Sequence, residues 1–165
     1  LSIGVQPLIG FNYGAQNYGR MKKIILIANL ICLAMAAFFT VFFAIFPGEL
    51  IAVFIKDISI IAIGKMILEA YVFAIPFAGV GMILMATLQS MGKALPAFIV
   101  SLSRQGLVYI PMLFLLNHLF QFNGLIFAMP IADVITTILS FIFVYHITKQ
   151  LKTSLDTKPS FLIRD

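Results

Sequence analysis

The chain has 165 residues, of which 62% are hydrophobic and 10% charged, with a formal net charge of +5. A soluble domain carries about 45–50% apolar and about 25% charged residues, and a fold this small has too much surface for its volume to hide the difference. The composition therefore excludes an ordinary soluble domain and points to lipid as the solvent. The basic residues sit in short loops and at the C-terminal end, a pattern of membrane orientation rather than of nucleic-acid binding.

Residues 1–16, LSIGVQPLIGFNYGAQ, are apolar at first and then small and polar, and read as the end of a membrane segment. Gly10, Gly14 and Pro7 predict an irregular end to it. The start is abrupt, with no Met at position 1 and no basic run before a short apolar stretch. It reads as a chain whose natural beginning lies upstream.

Four apolar runs follow, and spanning a hydrocarbon core of about 30 Å takes about 20 residues of helix. They predict membrane helices over about 24–46, 60–91, 95–120 and 124–147. The first has no charge and ends at Pro47 and Gly48; Cys32, the single cysteine, lies inside it as a packing residue. Residues 49–58 form a short amphipathic connector. The second run carries Glu69 near its start, four residues after Lys65, so a local pair is available. Gly92 and Pro96 punctuate the turn into the third, which contains Arg104. The fourth contains Asp133. From Lys149 the tail, 149–165, is polar and reads as loosely ordered. The runs are too long for strands and lack a two-residue alternation. The expected fold is all-α, a polytopic membrane bundle of four full transmembrane helices plus the end of a fifth, with residues 1–148 as membrane lobe and 149–165 as tail.

Lys and Arg set the orientation. Arg20, Lys22 and Lys23, then Lys93, then Lys149, Lys152, Lys158 and Arg164 all fall on one side of a four-helix path. The other side holds Lys56 and Lys65. Residues 16–23, 91–94 and the tail are thus expected in the cytoplasm, in a multi-pass protein of the cell membrane.

Ionisable residues within a membrane are costly and carry a functional reading by default. Asp133 lies about 13 Å past Gly124 at the rise of an α-helix, near mid-membrane. Pro130, Asp133, Thr137 and Ser140 follow at spacings of three, four and three, making one polar stripe. Proline at 130 frees the carbonyl of Ile126. Such a carboxylate, with hydroxyls and a freed carbonyl, suits a hard cation or a proton relay. It equally suits a hydrogen bond between helices. Arg104 lies at matching depth in the third helix. Folding the last two helices about residues 120–121 sets Asp133 within a turn of it, so the two pair, or else Arg104 snorkels to the surface. A carboxylate held by the guanidinium is less available as a proton carrier, so pairing and coupling compete. Met82 and Met85, one turn apart below Phe73 and Phe77, suit a surface that re-packs around varied ligands, or simply a core or lipid-facing stripe. Pro76, Pro111 and Pro130 mark points where a membrane helix weakens or bends. His118 and His146 fall at helix ends without a second ligand at metal spacing. No P-loop, phosphate cradle or Ser/His/Asp set is present, so nothing points to an enzyme, a cofactor or a resident metal.

The opening GVQPLIGFNYGAQN, with Gln6, Pro7, Asn12, Tyr13, Gly14 and Ala15 before the basic turn, resembles a signature of the multidrug and toxic compound extrusion (MATE) family. FPGELIAVFIKD, IPFAGVGMILMATLQSMGK, SRQGLVYIPMLFLL and NGLIFAMPIAD resemble further pieces of that family in the same order. The resemblance implies a protein of twelve helices in two six-helix lobes. This chain would be the end of the eighth helix and helices nine to twelve, most of the C-terminal lobe, working with an N-terminal lobe. It also implies exchange of Na⁺ or H⁺ for drugs or other small organic, often cationic, compounds by alternating access. Gln6 and Asn12 would line the lobe near its cytoplasmic end. Some members carry an acidic residue midway along the tenth helix as part of a Na⁺ site; the matching place here, near Gly79, has no carboxylate. A lipid-linked oligosaccharide flippase of the same superfamily and a non-transporting membrane subunit are the competing expectations.

Overall fold

A computed structural model of the chain describes residues 1–53 and 57–156. The described residues form helices and turns, with no strand. Helix α1 covers Ser2–Gly14, α2 Tyr18–Ile45, α3 Pro47–Ala52, α4 Ile58–Val72 and α5 Ile75–Ser90. From Ala94 the backbone is helical to Asp156 apart from one reversal at Gln121, whose φ of 52° and ψ of −129° divide it. The two parts are α6, Ala94–Gln121, and α7, Asn123–Leu151. Gly124 lies so close to the Leu116 carbonyl that a side chain there would overlap it, which keeps this hairpin tight.

Three helices, α2, α6 and α7, are long and apolar enough to cross a membrane. The fourth expected span is present as a bent pair, in which α4 and α5 meet at 51°. The break falls just before Pro76, which sits in the first turn of α5, where its missing N–H costs nothing. Pro130, by contrast, is carried inside α7 without a break. The chain is thus a multi-pass, all-α membrane bundle.

Several boundaries differ from the sequence reading. Pro7 lies within a continuous α1, because the helix starts only five residues before it and little of the ladder is lost. The irregular end is confined to Ala15–Asn17, where Gln16 takes a φ of 55°. The Asn17 side chain then accepts from the Arg20 N–H and caps α2. The amphipathic connector is represented by α3, which has Pro47 at its start and Glu49 in its first turn. Lys56 lies outside the described residues. The tail begins as helix rather than loose chain, since α7 continues helically through Lys149 to Asp156; Lys158 and Arg164 lie outside the described residues.

Helix α5 is the centre of the bundle and packs on α1, α2, α6 and α7. Its sequence allows this because small residues on it let neighbouring backbones come near. A Cβ added at Gly79 would lie 2.7 Å from Cys32 Sγ of α2. The core gathers around Ile83, Leu84 and Leu88 of α5, with Ile9, Met21, Val144 and Ile147 from α1, α2 and α7. The outer face of α2 leaves Leu26, Ile27, Leu30 and Phe38 exposed, as a helix facing lipid does. Gly92, with a φ of 67°, turns the chain from α5 to α6. The Lys93 N–H reaches back to the Leu88 carbonyl at 3.0 Å and closes the end of α5.

Candidate functional site

The site grows from an irregularity in α6. Residues Ser103–Leu107 form a π-helical turn, in which the Val108 N–H donates to the Ser103 carbonyl at 2.9 Å, five residues back. Pro111 lies one turn further on. Proline crowds the carbonyl four residues before it and gives that carbonyl no donor. The wider turn immediately upstream accommodates this, and such turns recur at functional sites.

Arg104 sits on the π turn, and its Nε donates to Asp133 Oδ1 of α7 at 2.8 Å. The Asp133 side chain is 6% exposed and that of Arg104 23%. The guanidinium is therefore turned across the hairpin toward the acid, not extended to the surface. Lys65 and Glu69 also meet, at 3.8 Å, but both side chains are more than half exposed, so screening leaves that pair little weight. Asp133 is the one buried carboxylate among the described residues.

The hydroxyls of the stripe are anchored on backbone. Thr137 Oγ1 donates to the Phe77 carbonyl of α5 at 2.8 Å, and Ser140 Oγ donates to the Thr136 carbonyl at 2.7 Å. Thr136 donates to the Ala132 carbonyl at 2.8 Å. Pro130 is buried one turn before Asp133. The stripe thus joins α5, α6 and α7 through one ion pair and one interhelical hydrogen bond.

Met82 and Met85 come to the same place. With Gly81, Arg104, Asp133 and Ser140 they line a void of about 10 Å³. That is about the minimum for a single water molecule. Met82 is half exposed beside it, while Met85 packs against the core. Gln6 joins α5 further along, where its Nε2 donates to Gln89 Oε1 at 3.1 Å. Asn12 is buried and bonds one turn back, Nδ2 to the Leu8 carbonyl at 2.7 Å. The structure therefore gathers Arg104, Asp133, Thr137, Ser140, Met82 and Met85, and leaves Gln6 and Asn12 apart from them. Sequence reasoning passed over Gln89, Gly81 and the π turn. Gln89 lies on the Met82–Met85 face at helical spacing, a signal that was available. No group of His, Cys, Asp and Glu suited to a metal occurs among the described residues.

These features define a helical membrane protein whose polar centre is buried where α5, α6 and α7 meet. The MatE family profile matches residues 1–115, and the chain belongs to that family. It is 30% identical over 154 residues to the multidrug export protein MepA of Staphylococcus haemolyticus, covering 92% of this chain and 33% of that protein. With MepA of Staphylococcus saprophyticus the identity is 29% over 148 residues, 90% of this chain and 32% of that protein. The fold is similar to the Vibrio cholerae MATE transporter VcmN in its bent form, with a TM-score of 0.85, 18% identity, and 92% of this chain against 35% of that one. It is also similar to a multidrug resistance MATE family transporter of the MOP superfamily in an inward-facing conformation. There the TM-score is 0.86 at 17% identity, with 96% of this chain and 36% of that one covered. The chain spans about a third of the length of the curated relatives it matches.

Proposed function

We propose that the chain supplies most of the C-terminal lobe of a proton-driven exporter of small organic, often cationic, compounds. It works in the cell membrane with its C-terminus in the cytoplasm, together with an N-terminal lobe. Membership of the MatE family and the likeness to MepA support export of multiple drugs. The coupling part rests on Asp133, the one buried carboxylate among the described residues, which lies in a spanning helix.

A proton needs no space beyond a carboxylate lone pair, whereas a cation needs a cage of oxygens at about 2.3–2.6 Å for a Ca²⁺-sized ion. The void beside Asp133 is about 10 Å³, too small for a cage of oxygens around a metal cation, which favours H⁺ over Na⁺. The place near Gly79 likewise offers no acid, being filled by Cys32. The pair that ties α6 to α7 has to open before Asp133 is free to carry a proton, and Pro130 and the π turn then allow the two helices to move relative to α5. Met82 beside the void and, further along α5, Gln89 with Gln6 present polarizable and amide groups, suited to varied ligands.

The test is to express the coding gene in a drug-sensitive bacterium and to measure efflux of a fluorescent cationic dye from energised vesicles. Efflux should persist without Na⁺ and stop with a protonophore. Asp133→Asn should lower the rate at least tenfold at normal membrane levels. Unchanged drug tolerance over a wide panel would overturn the exporter reading. Efflux that requires Na⁺ and ignores the protonophore would overturn the choice of ion.

A further inference from the structure

Helices α2 and α7 both pack on α5 but meet each other only sparsely, so a cleft stays open between them. Its volume is about 460 Å³, in the range of ligand-holding clefts. Along most of its length it is apolar, lined by Ile25, Leu26, Leu84 and Phe141. Its polar end is formed by Lys22 of α2 beside Tyr145 and Thr148 of α7. The apolar part of α2 begins at Ile24, directly after these basic residues.

Lys22 is half-buried and has no carboxylate within ion-pair distance among the described residues. Arg20 and Lys23 stand beside it and increase the positive charge at that end. An ammonium drawn partly out of water gains from an anion that shares its depth. The apolar cleft below it gains from a hydrocarbon chain. Both requirements meet in one kind of molecule, which is present wherever this chain is embedded.

We propose that this cleft is a binding site for an anionic phospholipid, with the phosphate at Lys22 and one acyl chain along Ile25, Leu26 and Phe141. A zwitterionic lipid fills the cleft but brings its own cation to Lys22, so selectivity resides in that residue. A lysine near an anionic membrane surface contributes about 1 kcal/mol, which corresponds to roughly a fivefold preference. The inference is independent of the transport reading, since it uses neither Asp133 nor Arg104.

The chain reconstituted in phosphatidylcholine nanodiscs, with trace spin-labelled phosphatidylglycerol or spin-labelled phosphatidylcholine, gives the readout. The motionally restricted fraction of each label reports lipid held by the protein. About a fivefold preference for phosphatidylglycerol is expected. Lys22→Gln should bring the ratio to about one while restricted lipid of both kinds remains. Leu26→Trp, on an exposed rim position, should fill the cleft and reduce the restricted fraction of both labels. Lys23→Gln, outside the lining, should leave the ratio near its original value. Equal restriction of the two labels in the unaltered chain would overturn the site. So would an equal loss in Lys23→Gln and Lys22→Gln, which would mean general surface charge. Cross-linking through Leu26→Cys that captures a second copy of the chain would assign the cleft to a protein interface instead.

Discussion

Gly81 of α5 faces Thr137 of α7 so closely that a Cβ at position 81 would lie 2.6 Å from the threonine Oγ1. The same hydroxyl donates to the Phe77 carbonyl one turn earlier on α5. The missing side chain and the hydrogen bond are thus one device, since the bond forms only because the glycine lets α7 approach. Gly81→Ala should therefore cost about 1–3 kcal/mol, the usual penalty of overpacking, with part of it from the displaced hydrogen bond. Gly4→Ala, where a Cβ meets open space, is the control. Thermal unfolding in detergent should separate the two, and equal midpoints would show that the α5–α7 approach has slack.

The Arg104–Asp133 pair should show strong coupling. Removing one member of a buried pair leaves the other charged and alone, at a cost of about 3–5 kcal/mol. Arg104→Ala and Asp133→Ala should each destabilise the protein by that order. The double variant should be less damaged than the sum of the two, by about 0.5–3 kcal/mol. Strictly additive losses would mean that the 2.8 Å contact contributes nothing to holding α6 and α7 together.

Gly79→Ala meets Cys32 Sγ at 2.7 Å and should lower the unfolding midpoint. Cys32→Ala removes the sulfur and should restore most of the loss in the double variant. A double variant no more stable than Gly79→Ala alone would place the strain elsewhere on α5.

The chain on its own should insert in membranes and fail to move dye under an ion gradient, because alternating access requires two lobes around one site. Saturable, gradient-dependent transport in vesicles holding this chain alone would contradict that division of labour.

The spanning helices were legible because each is a long apolar run, and lipid leaves the backbone no alternative to a helix. The approach of Arg104 to Asp133 was also readable, from equal depth on either side of a turn; the reversal falls at Gln121, close to where the hydrophobic runs part. The bend was legible at Pro76, and the break falls just before it. What sequence reasoning missed depends on contacts between helices. Asn12, which the resemblance set along the lobe, is buried with its amide on the Leu8 carbonyl of its own helix. Thr137 and Ser140 were read as cation ligands, a proton relay or a bond between helices; their hydroxyls donate to backbone carbonyls, Thr137 across to α5. The π turn carries no compositional mark beyond a proline some residues away.

That turn holds one residue more than an α-helical turn would. Deleting one residue between Gly106 and Tyr109 would let the regular ladder close and keep the two halves of α6 in phase, but it would remove the wide turn that carries Arg104 and makes room for Pro111. The same deletion elsewhere in α6 would rotate everything beyond it by about 100°. This short stretch should therefore accept the loss of one residue more readily than the rest of the span, with the aim of Arg104 as what changes.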